Sequence, residues 1–107
     1  MHLYLKHVGT LHKVAGQVGS IAFRGWRPEL RDGLDLGGGE YYKFERSGVE
    51  IVLVCNDAEH PEVYVEERKE YPFYFYSHGR MNGDKALEEV RESLAKSGLT
   101  CKIHEDT

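Results

Sequence analysis

Seven residues near the middle of the chain, Val49-Glu50-Ile51-Val52-Leu53-Val54-Cys55, constrain the fold more than any other stretch. Six of the seven are apolar and four of those are β-branched. A strand with one wet face alternates polar and apolar side chains, but here only Glu50 breaks the apolar run. The run therefore predicts a strand in the interior of a sheet, covered on both faces.

The flanking residues supply partners for that strand. Tyr41 to Arg46 puts Tyr42 and Phe44 on one side and Tyr41, Lys43 and Glu45 on the other, which is strand alternation. Ser47-Gly48 reads as a tight turn into Val49. Asn56 to Pro61 is a turn by composition. Glu62 to Glu66 reads as a further strand, with Val63 and Val65 opposite Tyr64. Tyr71 to Ser77 reads as the next, with Phe73 and Phe75 opposite Tyr74 and Tyr76, and Pro72 belongs at its start or at an edge. Together these form an antiparallel meander over residues 40–77.

The ends of the chain read as helical. Asn82-Gly83-Asp84 opens a helix with Asp84 as N-cap, and Ala86, Leu87, Val90 and Leu94 make its apolar stripe. Glu92 and Lys96 form an i,i+4 pair, and Gly98 closes the helix before a short strand at Leu99, Cys101 and Ile103. Between residues 3 and 22, steps of three and four predict a helix ending near Gly16 or Gly19. A strand at Leu3–Val8 is the competing reading. A short strand at Ile21-Ala22-Phe23 and a long loop over 25–39 follow. The expectation is a single α+β domain over 1–107: an antiparallel sheet of about four to six strands, with one N-terminal and one C-terminal helix packed on it. The helices cover one face, so the other calls for the long loop or a partner.

Charge is uneven. Residues 1–31 hold five basic groups and one acid (Glu29), while the rest hold nine basic groups and seventeen acids. An acidic body argues against broad nucleic-acid binding, which relies on a positive surface. No apolar run approaches the roughly 20 residues of a membrane span. The N-terminus lacks the apolar stretch and cleavage site of a signal peptide, so a cytoplasmic protein without membrane association is expected. Cys55 and Cys101 read as buried free thiols in a reducing compartment, and a disulfide would require their strands to be neighbours.

Three constellations could carry function. Arg24, Trp26, Arg27 and Arg31, followed by Gly37-Gly38-Gly39, could clasp an anion or stack on a base, although no P-loop lysine is present. The bland alternative is that Trp26 packs at the core edge and the arginines pair with Glu29, Asp32 and Asp35. Six histidines invite an enzyme or metal reading, but no CxxC pair or HExxH motif is present, and His60 or His78 would need an activated neighbour. Cys55, Asp57 and His60 are close in sequence, yet a thiol ending a buried strand is normally inert. No metal, cofactor or catalytic residue is therefore expected. The third constellation is acidic and aromatic. Asp57, Glu59, Glu62 and Glu66 interleave with Tyr64, Tyr74 and Tyr76, and aromatics anchor protein interfaces while carboxylates steer basic partners. Ordinary cross-strand tyrosine pairs are the plainer reading of the same residues.

The runs Gly48–Val54, Glu62–Val65 and Tyr71–Tyr76, with the size and acidity of the chain, resemble small bacterial immunity proteins that neutralise polymorphic or contact-delivered toxins. The resemblance covers roughly residues 40–98 and implies a non-enzymatic cytoplasmic protein whose partner is a toxin domain, often a nuclease. It carries over no specific residues. A phosphate- or nucleic-acid-binding module, a small enzyme and a homodimer are the alternatives.

Overall fold

The computed structural model describes residues 1–32, 39–61 and 63–105. Its strands are β1 (His2–Lys6), β2 (Arg27–Asp32), β3 (Glu40–Arg46), β4 (Val49–Cys55), β5 (Phe73–His78) and β6 (Thr100–His104). Its helices are α1 (Leu11–Ala22) and α2 (Asp84–Lys96). The strands make one sheet in the order β2-β3-β4-β5-β1-β6, and every neighbouring pair is antiparallel. The α+β class, the strand count and the two terminal helices are as the sequence predicts.

β4 sits inside this sheet, and residues 51–54 are buried on both faces. On the helix side, Ile51 and Leu53 pack with Leu3, Leu5, Phe44, Phe73 and Phe75 beneath Val14, Val18, Leu87, Val90 and Leu94. Val52 and Val54 face the other way, with Tyr4, Tyr41 and Tyr74. Phe73 and Phe75 thus oppose Tyr74 and Tyr76, as alternation predicts. Burying each such side chain fully is worth about 1.5–3 kcal/mol, so both faces contribute. Between β3 and β4 the turn residues Ser47 and Gly48 both have positive φ, 53° and 84°. That is the two-residue hairpin whose twist matches the strands, and it favours glycine.

Five expectations need correction. Residues 3–22 are a strand followed by a helix. Leu3 and Leu5 belong to a period of two between β5 and β6, and only the residues from Leu11 onward keep the helical period. Thr10 caps α1 by accepting from the Lys13 N–H, and the helix runs through Gly16 and Gly19 to Ala22, so Ile21 and Ala22 are helical. The expected loop over 25–39 contains β2. Its exposed charges and Pro28 hide it from a periodicity search and suit it to a sheet edge. Asp84 is the first residue of α2, not its cap. Gly83 occupies the cap position, and Asn82 Oδ1 accepts the Asp84 N–H. The C-terminal end follows expectation, with a Schellman pair of bonds from Gly98 N–H to the Ala95 carbonyl and from Leu99 N–H to the Leu94 carbonyl.

The fifth governs the second face. Val63, Tyr64 and Val65 form no strand; they lead into a 3-10 turn at Glu66–Arg68. The segment crosses the sheet, and Val63, Val65 and Tyr71 pack on the tyrosine cluster. Among the described residues, this segment is what packs over the second face. Asn56 holds the segment down. It is the one buried polar residue among those described, 3% exposed. Its Oδ1 accepts the Val65 N–H at 2.7 Å, and its Nδ2 donates to the carbonyls of Arg68 and Tyr71 at 3.0 Å each. Its own N–H donates to the Pro72 carbonyl at 2.8 Å. One amide side chain thereby substitutes for the ladder that this backbone lacks. Asn56→Ala is expected to cost roughly 2–4 kcal/mol, because it leaves several buried backbone groups unpaired. Urea unfolding of the purified variant checks this, and a loss below about 0.5 kcal/mol contradicts it.

Candidate functional site

Residues 57–70 carry six acids and two basic residues, a net −4 that equals the charge of the whole chain. Asp57, Glu59, Glu66, Glu67 and Glu70 are exposed, because the apolar residues between them turn inward onto the tyrosines. Glu62 lies outside the described residues. Among the described residues, Glu59, Glu66, Glu67 and Glu70 form no ion pair, and Asp57 Oδ1 lies 2.7 Å from His60 Nδ1. The described acids of this stretch are thus exposed on a segment that Asn56 ties to the sheet.

The aromatic half differs from expectation. Tyr74 is 3% exposed, and its hydroxyl donates to the Val63 carbonyl, so it ties down the covering segment and lies beneath the surface. Burial pushes its hydroxyl up to about 12. Tyr76 is half-buried against the same cluster, and burial raises its hydroxyl too, with Tyr74 and Tyr41 adding to the effect. Tyr64 is partly exposed. Tyrosines that alternate away from the core face looked like an open surface because nothing in their own strand announces the segment that covers them.

The arginine constellation is brought together only in part: Arg24 and Trp26 line one small pocket with Arg46, and Arg27 and Arg31 do not. Arg24 follows α1, and its Nε donates to the Ser20 carbonyl. Arg31 lies on β2 and is bound to Glu29, which holds the Glu29 carboxyl below its ordinary value. Arg27 is exposed at the far end of β2, opposite Glu45 in β3. The Trp26 ring is already engaged, edge-on to Phe23 and beneath the Arg46 guanidinium at 4.8 Å. No protein-family model matches this chain, and no curated protein matches it in sequence.

Two further features emerge. A cleft of about 440 Å³ lies between α1 and the β2–β3 end of the sheet, walled by Gly16, Gly19, Phe23, Trp26, Tyr42 and Phe44. At its mouth His12 Nδ1 meets the Tyr42 hydroxyl at 2.8 Å, and His12 Nε2 lies 3.4 Å from Glu40. The other feature is where β4 ends. Cys55, Asp57 and His60 bring a sulfur, a carboxylate oxygen and a ring nitrogen within 4.8 Å of one another. Asp57 Oδ1 accepts from the Glu59 N–H at 3.0 Å and lies 2.7 Å from His60 Nδ1. The signal in the sequence is Cys-x-Asp-x-x-His starting on the last strand residue. The spacing matches no familiar motif, and only the turn reveals the convergence.

Cys55 and Cys101 are free, and their strands β4 and β6 are not neighbours in the sheet. Burial pushes the Cys55 thiol from 9.0 to about 11, with the charge of Asp57 adding to the effect. In the unfolded chain this thiol loses its proton at lower pH than in the folded one. Its contribution to stability is thus complete below pH 9 and is lost as pH rises towards 11. Cys55→Ser removes that titration. The urea midpoint of the variant is expected to fall less steeply than wild type between pH 9 and 11, and parallel profiles contradict the assignment.

Proposed function

We propose that this chain is a non-enzymatic protein-binding domain, most concretely a bacterial immunity protein that binds and occludes a toxin domain through its carboxylate surface. The observation that carries the reading is the set Glu59, Glu66, Glu67 and Glu70: exposed, without ion pairs among the described residues, and mounted on a segment that Asn56 fixes to the sheet. Carboxylates left uncompensated in one region make a negative field that steers a basic partner and raises its association rate. A fixed backbone reduces the ordering cost of binding. A nuclease toxin is the fitting class of target, since a cleft that holds a phosphate backbone is positive. A cytoplasmic location belongs to this reading. Among the described residues, no helix is long and apolar enough to cross a membrane.

The anion-binding alternative has less support, because Arg24 and Arg31 are engaged by Ser20 and Glu29 and Trp26 by Phe23 and Arg46. Affinity capture at moderate salt, followed by titration of the captured partner, tests the reading. A basic protein partner is expected whose binding weakens with salt. The triple variant Glu66→Lys, Glu67→Lys, Glu70→Lys should bind at least about tenfold more weakly, some 1.4 kcal/mol. Arg24→Ala with Arg27→Ala should stay within about twofold. A partner that binds the triple variant as tightly as wild type contradicts the assignment.

A further inference from the structure

We propose that Cys55, Asp57 and His60 form a binding site for a divalent transition metal of the zinc class, with one coordination position left open to solvent or to a further ligand. The three donors are a thiol sulfur, a carboxylate oxygen and an imidazole nitrogen, all within 4.8 Å of one another. Zinc-class bond lengths of about 2.0–2.3 Å place tetrahedral ligand atoms roughly 3.3–3.8 Å apart. The cluster reaches that geometry by side-chain adjustment. Cys55 closes in slightly, and Asp57 Oδ1 and His60 Nδ1, now 2.7 Å apart, separate by a few tenths of an ångström as the cation replaces the shared proton.

The frame is already in place. Asn56 stands between two of the ligands and is fixed by its bonds to Val65, Arg68, Tyr71 and Pro72. The His60 N–H donates to the Asp57 carbonyl at 3.1 Å, closing the turn that carries Asp57 and His60. Gly39 stands beside the Cδ2–Nε2 edge of His60. A Cβ there would sit 2.9 Å from both atoms, at a residue whose φ is +110°. A side chain at position 39 would therefore crowd that edge, while Nδ1, on the other side of the ring, faces Asp57 Oδ1 at 2.7 Å.

Charge favours a divalent ion. A thiolate, a carboxylate and a neutral imidazole sum to −2, which one M²⁺ neutralises. Sulfur binds a metal as the thiolate, so coordination releases the thiol proton to solvent. The sulfur ligand selects zinc or cobalt over magnesium or calcium, which prefer all-oxygen shells. Three protein ligands with a free fourth position differ from the closed four-ligand sets of purely structural zinc sites. This inference does not depend on the protein-binding reading.

Cobalt(II) titration of the purified, reduced full-length protein provides the test, read by thiolate-to-cobalt charge-transfer absorption. The expected result is a band that saturates at one cobalt per chain and is bleached by zinc(II). The band should vanish in Cys55→Ser and fall at least about tenfold in apparent affinity in His60→Ala, while Cys101→Ser leaves it unchanged. Zinc(II) should also raise the thermal midpoint of wild type and of Cys101→Ser, but not of His60→Ala. Absence of a thiolate band in wild type overturns the proposal, whether or not cobalt binds elsewhere. So does a band that persists in Cys55→Ser or disappears in Cys101→Ser.

Discussion

The bonds from Asn56 to the backbone of Val65, Arg68 and Tyr71 are the interaction on which the rest of the structure depends. A six-stranded antiparallel sheet with helices on one face has a second face to account for, and here that face is apolar at Val52, Val54, Tyr4 and Tyr74. An irregular chain can cover it only if its own polar backbone is satisfied, because buried unpaired amides cost more than the apolar contacts return. Asn56 meets that requirement from the first position after β4, and Tyr74 adds a bond to the Val63 carbonyl from β5. With those bonds made, Val63, Val65 and Tyr71 turn inward and the acids between them turn out.

The two functional readings share that origin. The carboxylates of 57–70 form a surface because the apolar side chains of the same segment are occupied with the sheet. Cys55, Asp57 and His60 meet because the chain must turn sharply around Asn56 to begin its crossing. One reading concerns the outer face of the segment and the other the corner where it starts. A cation at the corner would offset part of the Asp57 charge without touching Glu66, Glu67 or Glu70, so the two can operate side by side.

What was legible in the sequence follows the range of the forces involved. The apolar run at Val49–Cys55 announced a strand buried on both faces, and the alternation at Tyr41–Arg46 and Phe73–Tyr76 assigned side chains to the correct faces. The Gly98 terminus and the α2 stripe are local features and were equally readable. β2 was not legible, because Arg27–Asp32 is an edge strand whose only apolar side chain besides Pro28 is Leu30. The β1 assignment was obscured because Leu5, Val8 and Leu11 happen to continue the spacing of α1 across a strand and a turn. The covering segment failed differently: Val63-Tyr64-Val65 has strand composition, but Asn56, seven residues earlier, claims its backbone. The Cys-Asp-His cluster required the turn itself. Side chains whose partners lie across a loop leave no periodic trace.

Amide hydrogen exchange resolved by residue addresses the central claim, that residues 56–72 form part of the folded core and are not a mobile flap over an otherwise complete sheet. The Asn56 and Val65 amides bond to Pro72 O and Asn56 Oδ1 and should exchange on the same slow timescale as the β4 amides. Their protection should fall selectively, ahead of β4, in Asn56→Ala. If Val65 exchanges freely in wild type while β4 and β5 stay protected, the second face is covered only transiently and the account of how this chain holds its acidic surface is wrong.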